Sequence, residues 1–204
     1  MRPLSSFLRT VALSLAAASL AGCISVFPKE KPAQVYRFGQ TAAPAAASSA
    51  PSFTVARGTL DFSPAAAGER ILTVTGEETA YIAGVRWVSP AAALFDEAVG
   101  RAFEGAPARL IARGEPTRAD YSLTLDVRTF EARYLSGPDA APTVRIEVYA
   151  ALGKTTDRVD HGRIFVGEAA ASDNRVGAIV AAYDAALTKV LAQLVPWVDA
   201  HGEG

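Results

Sequence analysis

Alternating apolar and polar residues predict a group of long strands in the second half of the chain. The clearest strand runs from Tyr121 to Arg128, where the alternation is strict. Beyond it the apolar residues change from odd to even positions, and a β-bulge near Arg128 or Thr129 would return both sets to one face. Alternation continues over 143–152 and, after a polar turn, over 163–171. These three segments predict an antiparallel meander with one polar face.

Shorter strands are predicted earlier in the chain, where β-branched and aromatic residues stand between turn signals. They cover 35–38, 53–60, 70–74, 78–82 and 85–88. The last two flank Gly84 and are predicted to pair tightly with each other. The first half of the chain therefore adds strands to the meander.

Two segments carry apolar residues on the 3.6-residue period of a helix. The first opens at Ser89, the predicted N-cap, with Pro90 at the first helical position. The second begins after the cap candidates 172–174 and is predicted to stop at Pro196. Two main helices packed on one face of an antiparallel-rich sheet give an α+β fold, predicted as a single domain over 35–204.

The N-terminus has the pattern of a secretory signal rather than of a membrane span. Arg2 and Arg9 precede an apolar run over 11–20, which is shorter than the roughly 20 apolar residues that a spanning helix needs. The run ends in a short motif made of Leu20, Ala21, Gly22 and Cys23. This motif resembles the lipobox of bacterial lipoproteins.

The lipobox resemblance implies cleavage before Cys23, a diacylglycerol thioether on that residue, and N-acylation of the new terminus by a chain such as palmitate. No other cofactor is expected. The alternative is an ordinary signal peptide in which the cysteine is coincidental. The predicted organisation is a signal peptide over 1–22, an acylated tether over 23–34 and the folded domain over 35–204, with a flexible small-residue loop over 40–52.

The residue after the predicted lipidation site indicates the destination membrane. Retention at the inner membrane resembles a rule that requires Asp after the cysteine, and Ile24 stands there instead. We therefore expect the protein on the periplasmic face of the outer membrane, with the inner membrane as the alternative. Two or three acyl chains would hold it there far more firmly than one myristoyl chain.

Charge and cysteine content exclude several functions. Loss of Arg2 and Arg9 with the signal peptide changes the formal charge from −1 to −3, and no basic run remains to bind nucleic acid. Because Cys23 is the only cysteine, the chain contains no internal disulfide, no thiolate metal site and no cysteine nucleophile once that residue is lipidated.

No set of catalytic or metal-binding residues is predicted. The chain lacks a Gly-x-Ser-x-Gly elbow and a Gly-x-x-x-x-Gly-Lys phosphate loop. Its two histidines, His161 and His201, have no second histidine at metal-ligand spacing, and Asp157, Asp160 and His161 are interpreted as turn residues. Scattered aromatic residues could line an acyl-chain groove, but core packing is the favoured interpretation; they are Tyr81, Trp87, Phe130, Tyr134 and Trp197.

A series of short motifs occurs in a characteristic order along the mature chain. They are Val35-Tyr36-Arg37-Phe38 after the lipobox, Arg70-Ile71, Tyr81, Trp87 and Ser89-Pro90 before the first helix, Ala119-Asp120-Tyr121-Ser122-Leu123 leading to Phe130, and a final helix from Val176 to Trp197. This order resembles the auxiliary lipoproteins of ABC-type lipid transport systems, which include the Pqi-type lipoproteins that act beside MCE-domain proteins.

The family resemblance implies a non-catalytic periplasmic accessory protein. Its partners would be an MCE-domain protein, an ABC permease and an ABC ATPase, and the ATPase would hydrolyse ATP. Phospholipid is a candidate ligand. The segment from Glu77 to Trp87, together with the strand that precedes it, is the predicted docking surface, with Tyr81 and Trp87 as its contact residues.

Three other functions remain open at this point. The protein could be a plug or chaperone of an outer-membrane assembly machine of the lipopolysaccharide-delivery type. An envelope hydrolase would need a serine, an acid and His161 together. A passive structural lipoprotein would have no stable partner.

Overall fold

A long central strand with buried alternate residues organises the fold. The computed structural model describes residues 32–40, 51–112, 114–155 and 159–202. The described residues from Ala33 onward belong to one compact unit. Within them the elements are, in chain order, β1 (Gln34–Tyr36), β2 (Phe53–Phe62), β3 (Leu72–Thr75), β4 (Glu78–Tyr81), β5 (Val85–Trp87), α1 (Ala91–Ala102), β6 (Ala108–Leu110), β7 (Tyr121–Arg133), β8 (Thr143–Lys154), β9 (Val159–Ala170) and α2 (Val176–Gly202).

The predicted meander is confirmed in β7, β8 and β9. β7 pairs antiparallel with β8, and β8 pairs antiparallel with β9. The register between β7 and β8 shifts between Val127 and Thr129, at the predicted bulge. As a result Val127 and Phe130 are both buried although their positions differ in parity.

The other edge of β7 carries two parallel neighbours placed end to end. β2 pairs with the first half of β7, from Tyr121 to Val127, and β3 pairs with Ala132 and Arg133. β6, a strand that the sequence pattern did not predict, extends the sheet beyond β2. The sheet is therefore mixed, because parallel pairing joins the first half of the chain to the antiparallel meander.

The predicted pairing of the two segments that flank Gly84 is wrong. β4 pairs antiparallel with β3, across a two-residue turn in which Gly76 has φ +60°. β5 instead pairs in parallel with β1, as a separate two-stranded sheet. The reason is that the Gly76 turn closes a tight β3–β4 hairpin, which leaves β5 available for β1.

Both helices depart from their predicted ends. α1 begins at Ala91, with Pro90 in the N-cap position and no hydrogen bond from a capping side chain. The prediction that Ser89 caps this helix is therefore wrong. α2 continues through Pro196 to Gly202, so the predicted stop at Pro196 is wrong. Proline in a helix interior costs about 3 kcal/mol, and burial of the neighbouring Trp197 in the core offsets this cost.

The two helices pack on the apolar face of the sheet, which confirms the predicted α+β fold. α1 packs against β2, and α2 packs against β8 and β9. By length and composition alone α2 could cross a membrane, but most of its apolar window is buried inside the domain. We therefore interpret it as the core helix of the fold.

The predicted signal peptide (1–22) and the tether as far as residue 31 lie outside the described residues. So does the predicted loop over 40–52, except for Gln40, Pro51 and Ser52.

Candidate functional site

The predicted lipidation motif is not among the residues that the structure describes. Leu20, Ala21, Gly22 and Cys23 all precede residue 32, where the description begins. Acylation of Cys23 therefore stays a prediction from the sequence. The structure does show how the chain that follows this motif joins the folded domain.

Residues 34–39, which we call the N-terminal strap, pack onto the domain, and the last two of them are buried in it. Phe38 of the strap is fully buried. Its ring lies edge-to-face against Trp87, with 4.8 Å between centroids, and tilted against Phe130 at 5.0 Å. These aromatic contacts join the strap to β5 and to the centre of β7.

Gly39 locks the end of the strap between the two helices. Its φ is +81°, and a Cβ at this position would lie only 2.8 Å from the Cβ of Ala98 on α1, so glycine is required on both counts. Its carbonyl accepts a hydrogen bond of 2.7 Å from the Arg101 guanidinium, and its backbone N–H donates to the Asp184 carboxylate on α2. The strap thus bridges α1 and α2.

Trp87, one of the two predicted docking residues, lies inside the core. Only 1 % of its surface is exposed, and its ring packs edge-to-face on Tyr183 with 5.2 Å between centroids. The Tyr183 hydroxyl donates to the Leu72 carbonyl at 3.2 Å, and burial raises the pKa of Tyr183. The Trp87 ring therefore does not reach the surface that a partner would contact.

Tyr81, the other predicted docking residue, is half-buried on β4. The guanidinium of Arg70 lies 3.8 Å from the centroid of its ring, and its hydroxyl donates to the Ala65 carbonyl at 2.9 Å. The other residues of β4, from Glu78 to Ala80, are exposed. Within the described part of the chain β4 pairs only with β3, so its outer edge offers unpaired backbone groups beside Tyr81.

The remaining aromatic residues do not form an acyl-chain groove. Phe130 and Trp197 are buried in the core, and the Trp197 ring packs edge-to-face on Phe165 at 5.4 Å. Tyr134 is half-buried, and its hydroxyl donates to the Asn174 side chain at 2.7 Å. Core packing, the favoured interpretation, is confirmed for Trp87, Phe130 and Trp197.

The outer face of the meander is covered by ion pairs. Arg145 of β8 contacts Glu147 at 2.7 Å and Glu168 of β9 at 2.5 Å. The hydrogen bond to Glu147, followed by that to Glu168, raises the pKa of Arg145. A second pair on this face joins Arg128 to Asp126 at 2.8 Å. Pairs of this kind contribute little to stability, and they fit a solvated face better than a reactive site.

An open cleft on the described surface is bordered by a carboxylate that already has structural partners. One cleft of about 490 Å³ lies beside Asp120 and Lys154. The Asp120 carboxylate accepts hydrogen bonds from the Thr54 hydroxyl at 2.7 Å and the Thr54 backbone N–H at 2.8 Å. These bonds, the hydroxyl first, hold the pKa of Asp120 below its usual range. The carboxylate therefore fastens the start of β7 to β2.

The interpretation of His161 as a turn residue is wrong, because β9 already begins at Val159 and includes it. The sequence analysis therefore missed a pair of histidines that could act as ligands. His161 of β9 and His201 of α2 are 40 positions apart in the chain, yet their ring centroids lie 4.4 Å apart. No local spacing could have indicated this, because only the packing of α2 on β9 brings them together. No group of three or more metal-ligating side chains occurs among the described residues.

Comparison with known proteins gives one family and a closely matching fold. A family model described as the ABC-type transport auxiliary lipoprotein component matches residues 36–195. The crystal structure of protein XCC0632 from Xanthomonas campestris is 30% identical, with a TM-score of 0.75, and the match covers 84% of this chain and 97% of that chain.

A second crystal structure, of an uncharacterized protein, has a TM-score of 0.60 at 14% identity and shows the same fold alone; the match covers 82% of this chain and 99% of that one. No curated protein matches the chain. The family match begins at the last residue of β1, covers β2 to β9 and ends within α2. The chain therefore belongs to the family of ABC-type transport auxiliary lipoprotein components.

Proposed function

We propose that this protein is a non-catalytic, lipid-anchored accessory component of an MCE-type ABC system that moves phospholipid between membranes. The observation that carries the proposal is the family match over 36–195, which begins at Tyr36 in the strap. The proposed location is the periplasmic face of the outer membrane, with Cys23 as the acylated residue. ATP is hydrolysed by another subunit, which accords with the lack of a phosphate-loop motif in this chain.

The strap supports this proposal by limiting where the domain can be. Nine residues lie between Cys23 and Ala33, and the ten Cα-to-Cα steps that join the two reach about 35 Å when fully extended. Because Phe38 and Gly39 are fixed in the core, the N-terminal end of the domain stays within that distance of the anchoring membrane. A folded domain held there is suited to receive the outer end of a conduit that crosses the periplasm.

We assign the partner contact to the outer edge of β4, with Tyr81 at its end. The exposed residues Glu78 to Ala80 and the unpaired edge leave room for a partner strand. Trp87, which is buried against Phe38 and Tyr183, does not touch the partner. This assignment keeps Tyr81 as a contact residue of the predicted docking segment and makes Trp87 a core residue instead.

The experiment that tests the function is capture of the full-length lipidated protein from its own membranes after crosslinking, with partners identified by mass spectrometry. Recovery of an MCE-domain protein together with an ABC permease and ATPase is expected. Recovery of an outer-membrane assembly barrel instead would support the chaperone alternative. An empty capture with effective crosslinking would overturn the proposal.

A pair of tyrosine variants tests the docking surface. Tyr81→Ala should reduce capture of the MCE-domain protein. Tyr149→Ala is the matched control, because Tyr149 is also half-buried and also carries an arginine over its ring, Arg128 at 4.8 Å, but lies on the polar sheet face. Equal capture by the two folded variants would contradict the assignment of β4.

A further inference from the structure

We propose that His161 and His201 together bind a divalent transition-metal ion, Cu²⁺ in preference to Zn²⁺. The site is independent of the proposed transport function, since it lies at the junction of β9 and α2 and involves no residue of the β4 edge. The proposal rests on the distance between the two imidazole rings and on the backbone carbonyl that orients the His201 ring.

The distance between the rings suits a shared ion. His161 stands opposite Leu152 near the start of β9, and His201 is in the last turn of α2. Their ring centroids are 4.4 Å apart with 60° between the planes. Two imidazoles at adjacent positions of one ion, each with a metal–nitrogen bond of about 2.0 Å, have centroids about 4.5 Å apart in the tetragonal geometry of Cu²⁺ and about 5 Å apart in the tetrahedral geometry of Zn²⁺. The His161 side chain is exposed.

The His201 ring is already oriented as a ligand. Its Nδ1 lies 2.7 Å from the Trp197 carbonyl oxygen. A carbonyl can only accept a hydrogen bond, so Nδ1 carries the proton and donates it, and Nε2 of the neutral ring keeps a free lone pair. Metal-binding histidines commonly donate their second ring N–H to such an oxygen, which fixes the tautomer and the ring orientation.

The donor set determines which ions fit. Imidazole nitrogen suits copper, zinc and nickel, and Cu²⁺ has the highest affinity in the series. His161 is exposed, so water can occupy the remaining coordination positions. Within the described residues no third ligating side chain completes the group. We therefore infer an open, exchangeable site rather than a closed structural zinc site.

A bound ion would link the start of β9 to the end of α2. These two elements already pack against each other, and an ion held by one ligand from each stabilises the folded chain by mass action. The expected consequence is a melting temperature that rises with Cu²⁺ concentration.

The chain contains its own reporter for this site. The Trp197 ring lies 5.2 Å from the His201 ring, so bound Cu²⁺ should quench its fluorescence. The full-length lipidated protein, purified in detergent without a polyhistidine tag, is titrated with CuSO₄. Only two histidines are present in the whole sequence, which limits competing binding. Saturable quenching with one ion per chain is the expected result.

Variants separate the site from nonspecific quenching. His161→Ala and His201→Ala should each weaken Cu²⁺ binding at least about tenfold. Trp197→Phe is expected to lose most of the signal while calorimetry still detects binding of one ion. Saturable binding that is unchanged in both histidine variants, or no saturable binding to the unaltered protein, would overturn the proposal. Since His161 is exposed, His161→Ala should keep the fold, and circular dichroism checks this.

Discussion

Phe38 and Trp87 meet edge to face with 4.8 Å between their ring centroids, and this contact joins the strap to the core. Both side chains are almost completely buried. Edge-to-face pairs of this kind contribute about 0.5–1.5 kcal/mol beyond the burial of their surface. The first described segment after the predicted membrane anchor is therefore part of the stability of the domain.

Replacement of Phe38 should destabilise the domain strongly. Phe38→Ala leaves a cavity beside Trp87 and Phe130, and truncations of this kind cost about 3–5 kcal/mol. Denaturant unfolding of the purified protein measures the loss. Val35→Ala is the control in the same strap, since Val35 is 52% exposed, and it should change the unfolding free energy by less than about 0.5 kcal/mol. Similar values for the two variants would show that the strap is not anchored through Phe38.

Trp87 should be essential for folding but not for direct contact with a partner. Trp87→Ala is expected to cost about 3–5 kcal/mol of unfolding free energy. Trp87→Phe retains an aromatic ring against Phe38 and Tyr183 and should cost less. The folded Trp87→Phe protein should still capture the partner that Tyr81→Ala fails to capture. Loss of capture by Trp87→Phe with unchanged unfolding behaviour would instead place Trp87 in the interface.

Two glycines should respond to the same substitution with opposite signs. A Cβ on Gly167 of β9 would overlap the Ala186 carbonyl of α2, so Gly167→Ala should destabilise the protein by about 1–3 kcal/mol or more. Gly177 lies in the first turn of α2, and a methyl group added there would have no neighbouring atom within 4 Å, so Gly177→Ala should stabilise by up to about 1 kcal/mol. Thermal unfolding of the two variants and of the unaltered protein measures both changes in stability. A Gly167→Ala protein as stable as the unaltered one would contradict the close packing of α2 on β9.

Asp120 should make the junction of β2 and β7 sensitive to acid. The hydrogen bonds from Thr54 lower the pKa of this carboxyl in the folded protein. Its contribution is therefore complete above the unfolded value of about 3.9 and is lost as the pH falls through the lower folded value. In Asp120→Asn the decline of unfolding free energy below about pH 4 should be shallower than in the unaltered protein. Parallel pH profiles would show that Asp120 does not contribute in this way.

Local patterns in the sequence were sufficient for much of the fold. The alternation over β7 and its change of parity predicted both the strand and the bulge between Val127 and Thr129. The helical period predicted α1 and α2. These features depend on neighbouring residues and on which side chains face the core, and both are visible in a short stretch of sequence.

Pairing between distant segments could not be predicted in the same way. β1 pairs in parallel with β5, and β2 and β3 pair in parallel with one edge of β7. The order of these strands in the sheet leaves no pattern in any short stretch of sequence. The continuation of α2 through Pro196 likewise depends on the core that receives Trp197. In each case tertiary packing outweighed the local signal.

Short motifs and local periodicity were enough to predict the α+β class, the lipidation of Cys23 and the resemblance to the family that the comparison then established. Only the tertiary structure decided that Trp87 is buried, that Tyr81 stands beside an open strand edge, and that His161 meets His201. The physical reason is that a motif or a period is encoded by adjacent residues. The burial and neighbours of a side chain are instead set by the free energy of packing segments that are far apart in the chain.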